Sequence, residues 1–326
     1  MSYIKIENIE KKFENNSVIN GISLEFEKGE FISFLGSSGC GKTTMLRMIA
    51  GFTEPTSGKI EIDGKVLYSS EDKIMVPPGK RNLGMVFQSY AVWPHMNLFD
   101  NVAYPLKIQK VNKEEIRRRT LEMLEVVGLG GREKEYPWAF SGGQQQRIAL
   151  ARALVMQPSV LLLDEPLSNL DAHLRDKMKE EIRSIQKQMN ITVIYVTHDQ
   201  SEALQMSDKV VIMNQGQVEQ IASPTEIYHN PATPFVAGFV GKNNLMEYNG
   251  ETIAVRPENI TVSTKQMLQK QNCLKGEVVQ SSFQGTHYFC RIRTNCGVML
   301  TQVPADMILA DGQEVWLSWE KCSRFS

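Results

Sequence analysis

The chain has 326 residues, with 36 lysines and arginines against 37 aspartates and glutamates and a net charge of -1; this length accommodates a full α/β core plus a second, smaller unit. The basic residues are dispersed, which gives no electrostatic ground for a nucleic-acid-binding stripe or a polybasic membrane anchor. No apolar run approaches the length of a membrane span, the N-terminal stretch lacks the pattern of a signal peptide, and the five cysteines read as reduced thiols, so a cytosolic protein is expected.

Taken in order, Tyr3-Ile4-Lys5-Ile6-Glu7 alternates apolar and polar residues like an edge strand, and residues 21–27 and 31–35 follow as two further strands. Phe13 falls in the loop between the first two, where an aromatic serves either the core or the stacking of a nucleotide base. The apolar run Phe31-Ile32-Ser33-Phe34-Leu35 leads into Gly36-Ser37-Ser38-Gly39-Cys40-Gly41-Lys42-Thr43-Thr44 and then into the helix-forming residues 45–50. Strand, loop and helix in this order satisfy the phosphate-loop pattern G-x-x-x-x-G-K-S/T at Gly36, Gly41, Lys42 and Thr43. The glycines let backbone N–H groups curl around a polyphosphate, Lys42 would reach the β- and γ-phosphates, and Thr43 would place its hydroxyl on Mg²⁺. Cys40, inside this anion-attracting loop, is expected to favour its thiolate.

Ile60-Glu61-Ile62 and Asp63-Gly64 give a short strand and turn, and Pro77-Pro78-Gly79 breaks the chain before the strand at 83–87, which ends at Gln88. From Ser89 to about residue 157 the texture is mainly helical. Residues 90–96 are aromatic and proline-interrupted, residues 112–127 place Ile116, Leu121, Leu124 and Val127 on one side of a helix closed by Gly128, and Ser141-Gly142-Gly143-Gln144 opens another helix with a capping box. Residues 160–163 form a continuous apolar run of the kind buried on both faces of a sheet, ending in Asp164-Glu165. A turn at 166–171, a long amphipathic helix, a second buried strand at 193–196 ending in Thr197-His198-Asp199, and a hairpin at 210–218 complete this part. Three prolines between 223 and 234 mark its exit, and beyond Leu245 short strands and turns read as a small β-barrel or sandwich. Cys273, Cys290, Cys296 and Cys322 cluster there near His287, but their spacings fit no zinc template.

Four strand ends, at Gly36, Gln88, Asp164-Glu165 and His198, thus converge as a nucleotide site of an α/β sheet requires. Asp164 suits a carboxylate that holds Mg²⁺, and Glu165 beside it suits one that polarises the attacking water. Through these residues the chain resembles the ATP-binding subunits of ABC transporters. The match comprises the phosphate loop as Walker A, Gln88 in the Q-loop position, Phe140-Ser141-Gly142-Gly143-Gln144 as the signature, Asp164-Glu165 as Walker B with its glutamate, Ser168-Asn169-Leu170-Asp171 as the D-loop and His198 as the switch histidine, in register from about residue 3 to 240. Phe140 replaces the leucine common at that point.

The resemblance implies an α/β fold: a P-loop ABC ATPase domain over 1–240 with a helical subdomain at about 89–157, followed by a small all-β, OB-like domain over 241–326 with regulatory or dimerising character. It implies ATP and Mg²⁺ as cofactors, Glu165 and His198 as catalytic residues, Gln88 beside Thr43 and Asp164 at the metal, and Ser141 to Gln144 and Asp171 at a nucleotide shared with a second copy paired head to tail. It further implies permease subunits that dock on the helical insertion, where residues 90–96 serve either as a socket or as internal packing, an indirect solute-binding protein, and a place on the cytoplasmic face of the cell membrane. The C-terminal part, with Val255-Arg256-Pro257-Glu258-Asn259-Ile260, resembles that of importers of the maltose, polyamine and ferric-iron groups. Residues 85–90, 164–175 and 197–203 look most like ferric-iron subunits, with polyamine, aminoethylphosphonate and sugar importers as alternatives. A soluble ABC ATPase of DNA repair or translation is disfavoured by the single cassette and the absence of a heptad insertion, and a P-loop GTPase by the absence of an Asn-Lys-x-Asp motif.

Overall fold

The computed structural model describes residues 2–14, 16–266 and 272–325, and the chain divides into two compact units between Pro224 and Thr225. In the first unit, β1 (Ile4–Phe13) buries Ile4, Ile6 and Ile9 and pairs antiparallel with β2 (Asn16–Phe26). β2 begins ahead of the expected position because Gly21, at φ 68°, sits in an irregular stretch of the strand pairing and does not start the strand. β3 (Phe31–Gly36) leaves this sheet for a second one, α1 (Lys42–Ala50) follows it, and the chain returns with β4 (Ser57–Ile62), β5 (Lys65–Ser69) and β6 (Ile74–Met75). The resulting order β2-β1-β4-β5-β6 places β1 inside the sheet, not at the edge. Alternation reports one buried face, which an interior strand of a one-sided antiparallel sheet also has.

The second sheet takes β7 (Leu83–Val86), and the chain then builds α2 (Leu98–Ile108), α3 (Lys113–Val126) and α4 (Gly142–Leu154), the expected helical subdomain. α2 is poorly legible because Pro105 lies within it, where a proline has no N–H to pair with the carbonyl four residues earlier, while Asn97 caps the start by accepting from Asp100 N at 2.7 Å. β8 (Val160–Asp164), α5 (Ala172–Met189), β9 (Thr192–Thr197), α6 (Gln200–Met206), β10 (Lys209–Asn214) and β11 (Gln217–Ala222) follow, giving the order β11-β10-β3-β9-β8-β7. All neighbours are parallel except β11, and every residue of β3, β8 and β9 is buried. Ile32 and Phe34 pack with the first sheet and α1, whereas Phe31 and Tyr195 face the core shared with the helices. The carboxyl ends of β3, β7, β8 and β9 therefore open on one edge, the place where such sheets bind ligands.

The second unit begins within α7 (Pro224–His229) and contains α8 (Pro234–Phe239), a sheet of β12 (Asn244–Tyr248), β13 (Glu251–Val255) and β19 (Ser323–Phe325), and a five-stranded antiparallel sheet of β14 (Ile260–Ser263), β15 (Cys273–Phe283), β16 (His287–Thr294), β17 (Gly297–Pro304) and β18 (Glu314–Trp319). The latter runs in the order β14-β18-β15-β16-β17, and Val255, Ile292, Val315, Leu317 and Trp319 fill its core. Buried Arg256 donates to the carbonyls of Tyr228, Val240 and Lys242 and lies 4.0 Å from the Tyr228 ring. These bonds tie residues 228–242 to the β structure, which is why the division falls at Pro224/Thr225 and not at the expected 240/241. The five cysteines are free, and among the described residues no group of His, Cys, Asp and Glu could hold a metal ion. No described helix is long and apolar enough to cross a membrane.

Candidate functional site

The loop after β3 turns through Gly39 and Gly41, at φ 80° and 106°, so that α1 starts directly over the end of β3. A Cβ on Gly36 would lie 2.2 Å from the backbone Met213 O, and Gly41 holds φ 106°, so the first position requires glycine on steric grounds and the second by its backbone conformation. Ser38, Gly39, Gly41, Lys42, Thr43, Thr44, Glu165 and Val18 line a cleft of about 300 Å³. Lys42 Nζ folds back to donate to Gly36 O at 2.8 Å and Ser37 O at 2.9 Å, which satisfies a buried ammonium in the free chain. Thr43 Oγ1 donates to Asp164 Oδ1 at 3.2 Å, so the end of β8 meets the start of α1. Val18 was not legible as a wall of the site, since it belongs to the early part of β2 that Gly21 concealed.

The side chain of Cys40 departs from expectation. It is only 2% exposed and clusters in the core with Met45, Ile49 and Met213, while the Lys42 ammonium lies 3.6 Å from its Sγ. The thiol does not line the cleft.

Glu165 holds a left-handed backbone, φ 45°, and its N–H donates to Val196 O at 3.0 Å, so strain at the strand end is held by β9. Its Oε2 lies 3.2 Å from His198 Nδ1 and 3.5 Å from Gln88 Nε2, which also donates to Ser168 Oγ at 3.3 Å. His198 has 63% of its side chain exposed, so the imidazole is accessible beside the carboxylate. Gln88 is oriented further by Asn169, whose Nδ2 donates to Gln88 O at 3.0 Å. Gln88 thus joins Glu165 and Ser168 at the carboxyl ends of the strands.

Asp164 is 6% exposed, and burial pushes its carboxyl above the ordinary 3.8, a shift opposed by the Thr43 hydroxyl and the charges of Arg47 and Lys42 and reinforced by Glu165. A carboxyl that binds its proton more tightly folded than unfolded stabilises the fold at low pH and loses that contribution as pH rises past its folded value. Asp164→Asn should therefore melt at a higher temperature than the parent near pH 7, with the difference vanishing as pH falls below the ordinary value of 3.8. Calorimetry across that range checks it; equal melting at neutral pH would show that Thr43 and the cations fully offset the burial.

The remaining expected residues lie outside the cleft. Ser141 caps α4, its N–H donating to Gln144 Oε1 at 2.9 Å, and both Ser141 and Gly142 are exposed. Gly143 is buried, and a Cβ there would lie 2.9 Å from the Leu174 side chain, so its smallness serves packing on α5. Phe140 is buried beneath the Arg132 guanidinium, 4.1 Å from the ring centroid, which accommodates the aromatic in place of leucine. Asp171 caps α5 by accepting from Leu174 N at 3.0 Å. Phe13 ends β1 with 48% of its surface exposed and Lys11 Nζ 4.6 Å from its ring, so it is not a core residue.

Residues 19–168 match the ABC transporter family and residues 253–325 match the TOBE domain. The chain belongs to the ABC transporter family. It is 44% identical to the spermidine/putrescine import ATP-binding protein PotA of Thermobifida fusca over 355 residues, covering 97% of this chain and 91% of the relative. It is also 44% identical to the Fe(3+) ions import ATP-binding protein FbpC of Vibrio cholerae over 328 residues, covering 93% and 91%. The PotA protein of Bacillus thuringiensis subsp. konkukian is 42% identical over 323 residues, covering 98% and 97%. The ABC transporter subunit is therefore an ATP-binding component of an importer, with ATP hydrolysis coupled to transport and a TOBE domain as its all-β part.

Proposed function

We propose that two copies of this ABC transporter ATPase pair head to tail on the cytoplasmic face of the membrane and energise import through permease subunits, with a solute-binding protein delivering the cargo. The observation that carries this reading is a division of the motifs. Walker A, Walker B, Gln88 and His198 gather at one cleft, whereas the exposed N-terminus of α4 at Ser141 and Gly142 stands apart from it. Its first-turn glycine N–H groups and helix dipole suit the γ-phosphate of an ATP held by the other copy.

In this scheme Lys42 turns from the carbonyls of Gly36 and Ser37 to the β- and γ-phosphates, and exposed Phe13 stacks on the adenine. The oxygens of Thr43 and Asp164 fit Mg²⁺, which takes one or two protein oxygens and completes its shell with phosphates and water. When bound, Mg²⁺ would neutralise charge on the phosphates. Glu165 accepts a proton from the water that attacks the γ-phosphorus as ADP leaves, and His198, held against Glu165, contacts that phosphate. Hydrolysis removes the anion that joins the two copies, which is the basis of a nucleotide-gated switch.

The helical subdomain offers a groove of about 320 Å³ lined by Phe87, Ala91, Trp93, Arg152 and Met156, suited to a short apolar permease segment. Residues 90–96 serve both packing and groove in this view. Tyr90 is buried and Asn101 binds Trp93 and Met96 through its amide, while Trp93 lies between Arg152 and Tyr104 and lines the groove.

For the cargo we favour ferric iron, supported by residues 85–90, 164–175 and 197–203 and by the FbpC relative. The equally similar PotA relative supports polyamines as the second reading. Uptake of radiolabelled ferric iron and of spermidine should be measured in cells carrying this gene intact, deleted, or as Glu165→Gln. Iron uptake lost in both altered strains is expected. Loss of spermidine uptake alone would transfer the cargo to polyamines, and no defect in any solute tested would favour a soluble ABC ATPase.

A further inference from the structure

His198 stands on a turn whose flanking residues are pinned. Thr197 Oγ1 donates to Glu202 Oε2 at 2.6 Å and accepts from Asp199 N at 2.9 Å. Asp199 Oδ1 caps α6 by accepting from Ser201 N at 2.7 Å and Glu202 N at 3.3 Å. Glu202 is 3% exposed and also accepts from Tyr195 OH, in β9, at 2.7 Å. A carboxylate so deeply buried requires a nearby positive charge, and Arg175 supplies it, with Nε 3.9 Å from Glu202 Oε1.

Arg175 lies in the first turn of α5, the helix that begins just after the Ser168–Asp171 turn. Its Nη2 donates to Leu170 O at 3.0 Å and its Nη1 to Asp199 Oδ2 at 3.5 Å. A single planar guanidinium therefore spans the turn that follows Glu165, the turn that carries His198, and α6. Its Nε–H is buried without a hydrogen-bond acceptor, since 3.9 Å is an ion-pair distance and too long for a hydrogen bond. The fork is thus one small displacement from engaging Glu202 directly, a contact only an arginine can make alongside the other two.

We propose that Arg175 and Glu202 are positioning residues for ATP hydrolysis, which lock the His198 turn to the Leu170–Asp171 turn and so hold the imidazole opposite Glu165. This rests on the catalytic roles proposed above for His198 and Glu165. Neither Arg175 nor Glu202 lines the nucleotide cleft, so their effect belongs in turnover and not in ATP affinity.

The test is a double-mutant cycle in the full-length chain. Arg175→Met, Arg175→Lys and Glu202→Gln are each made in the wild-type and the His198→Ala background, with melting temperature, equilibrium ATP binding, kcat and KM measured for every variant. Arg175→Met should lower kcat roughly 10- to 100-fold, the scale of misplacing a reacting group by about an ångström, with ATP affinity unchanged and no further loss when His198 is already alanine. Arg175→Lys keeps the charge without the fork and should restore melting temperature more than kcat. Equal losses in both backgrounds, or a lower melting temperature with normal kcat, would make the pair a structural ion pair and overturn the proposal. If Arg175→Met does not fold, Arg175→Lys and Glu202→Gln complete the same cycle. His198→Ala with unchanged kcat would remove the role of His198 itself, an outcome distinct from failure of the pair.

Discussion

Glu165→Gln should bind ATP as tightly as the parent while releasing phosphate roughly 100-fold or more slowly, the scale of losing a general base. Glutamine keeps the volume of the side chain and an oxygen that accepts from His198 and Gln88, so the geometry at 3.2 and 3.5 Å survives. What disappears is a carboxylate able to take a proton in a cleft that Lys42, Thr43 and Thr44 also line. The nucleotide, no longer turned over, should hold two copies together, so the variant should run as a dimer in ATP and as a monomer after ATP is removed. Phosphate release, equilibrium binding and sedimentation measure the three parts. Near-normal turnover would remove Glu165 from the chemistry, and a monomer in ATP would remove the head-to-tail pairing.

Lys42→Ala should weaken ATP binding by roughly 10- to 150-fold, because charge-assisted hydrogen bonds contribute about 1.5–3 kcal/mol each. The ammonium sits at the floor of the cleft, 2.8 and 2.9 Å from two loop carbonyls, within a side chain's swing of the anion. The same substitution leaves the Gly36 and Ser37 carbonyls without that donor, so a lower melting temperature of the free chain should accompany the weaker binding. Titration with ATP and thermal melting separate the two effects. Unchanged affinity in a folded variant would mean that backbone N–H groups alone hold the phosphates.

The site was legible where chemistry depends on neighbours in sequence. Gly36 to Thr44 form one loop, Asp164 and Glu165 end one apolar run, and Ser141 with Gln144 form one capping box, so local spacing specifies each. The buried strands β3, β8 and β9 were legible for a similar reason, since a strand covered on both faces must be apolar throughout. Where a residue's role depends on what packs against it, the sequence was silent or misleading. Cys40 sits among phosphate-binding residues yet its side chain is buried in the core. Gly21 read as a boundary but sits within β2, and Pro105 hid α2.

By itself, then, the sequence determined a nucleotide site built at the carboxyl ends of parallel strands, a helical insertion, and an all-β C-terminal part, because backbone propensity, burial period and glycine stereochemistry act over short stretches. The tertiary structure alone decided that Arg175 joins Leu170, Asp199 and Glu202, that Arg256 gathers residues 228–242 onto the second unit, and that Gly143 is small for the sake of Leu174. Each of these depends on segments distant in the chain arriving within a few ångströms, and whether a buried charge finds its partner is settled only when the strands and helices between them have packed.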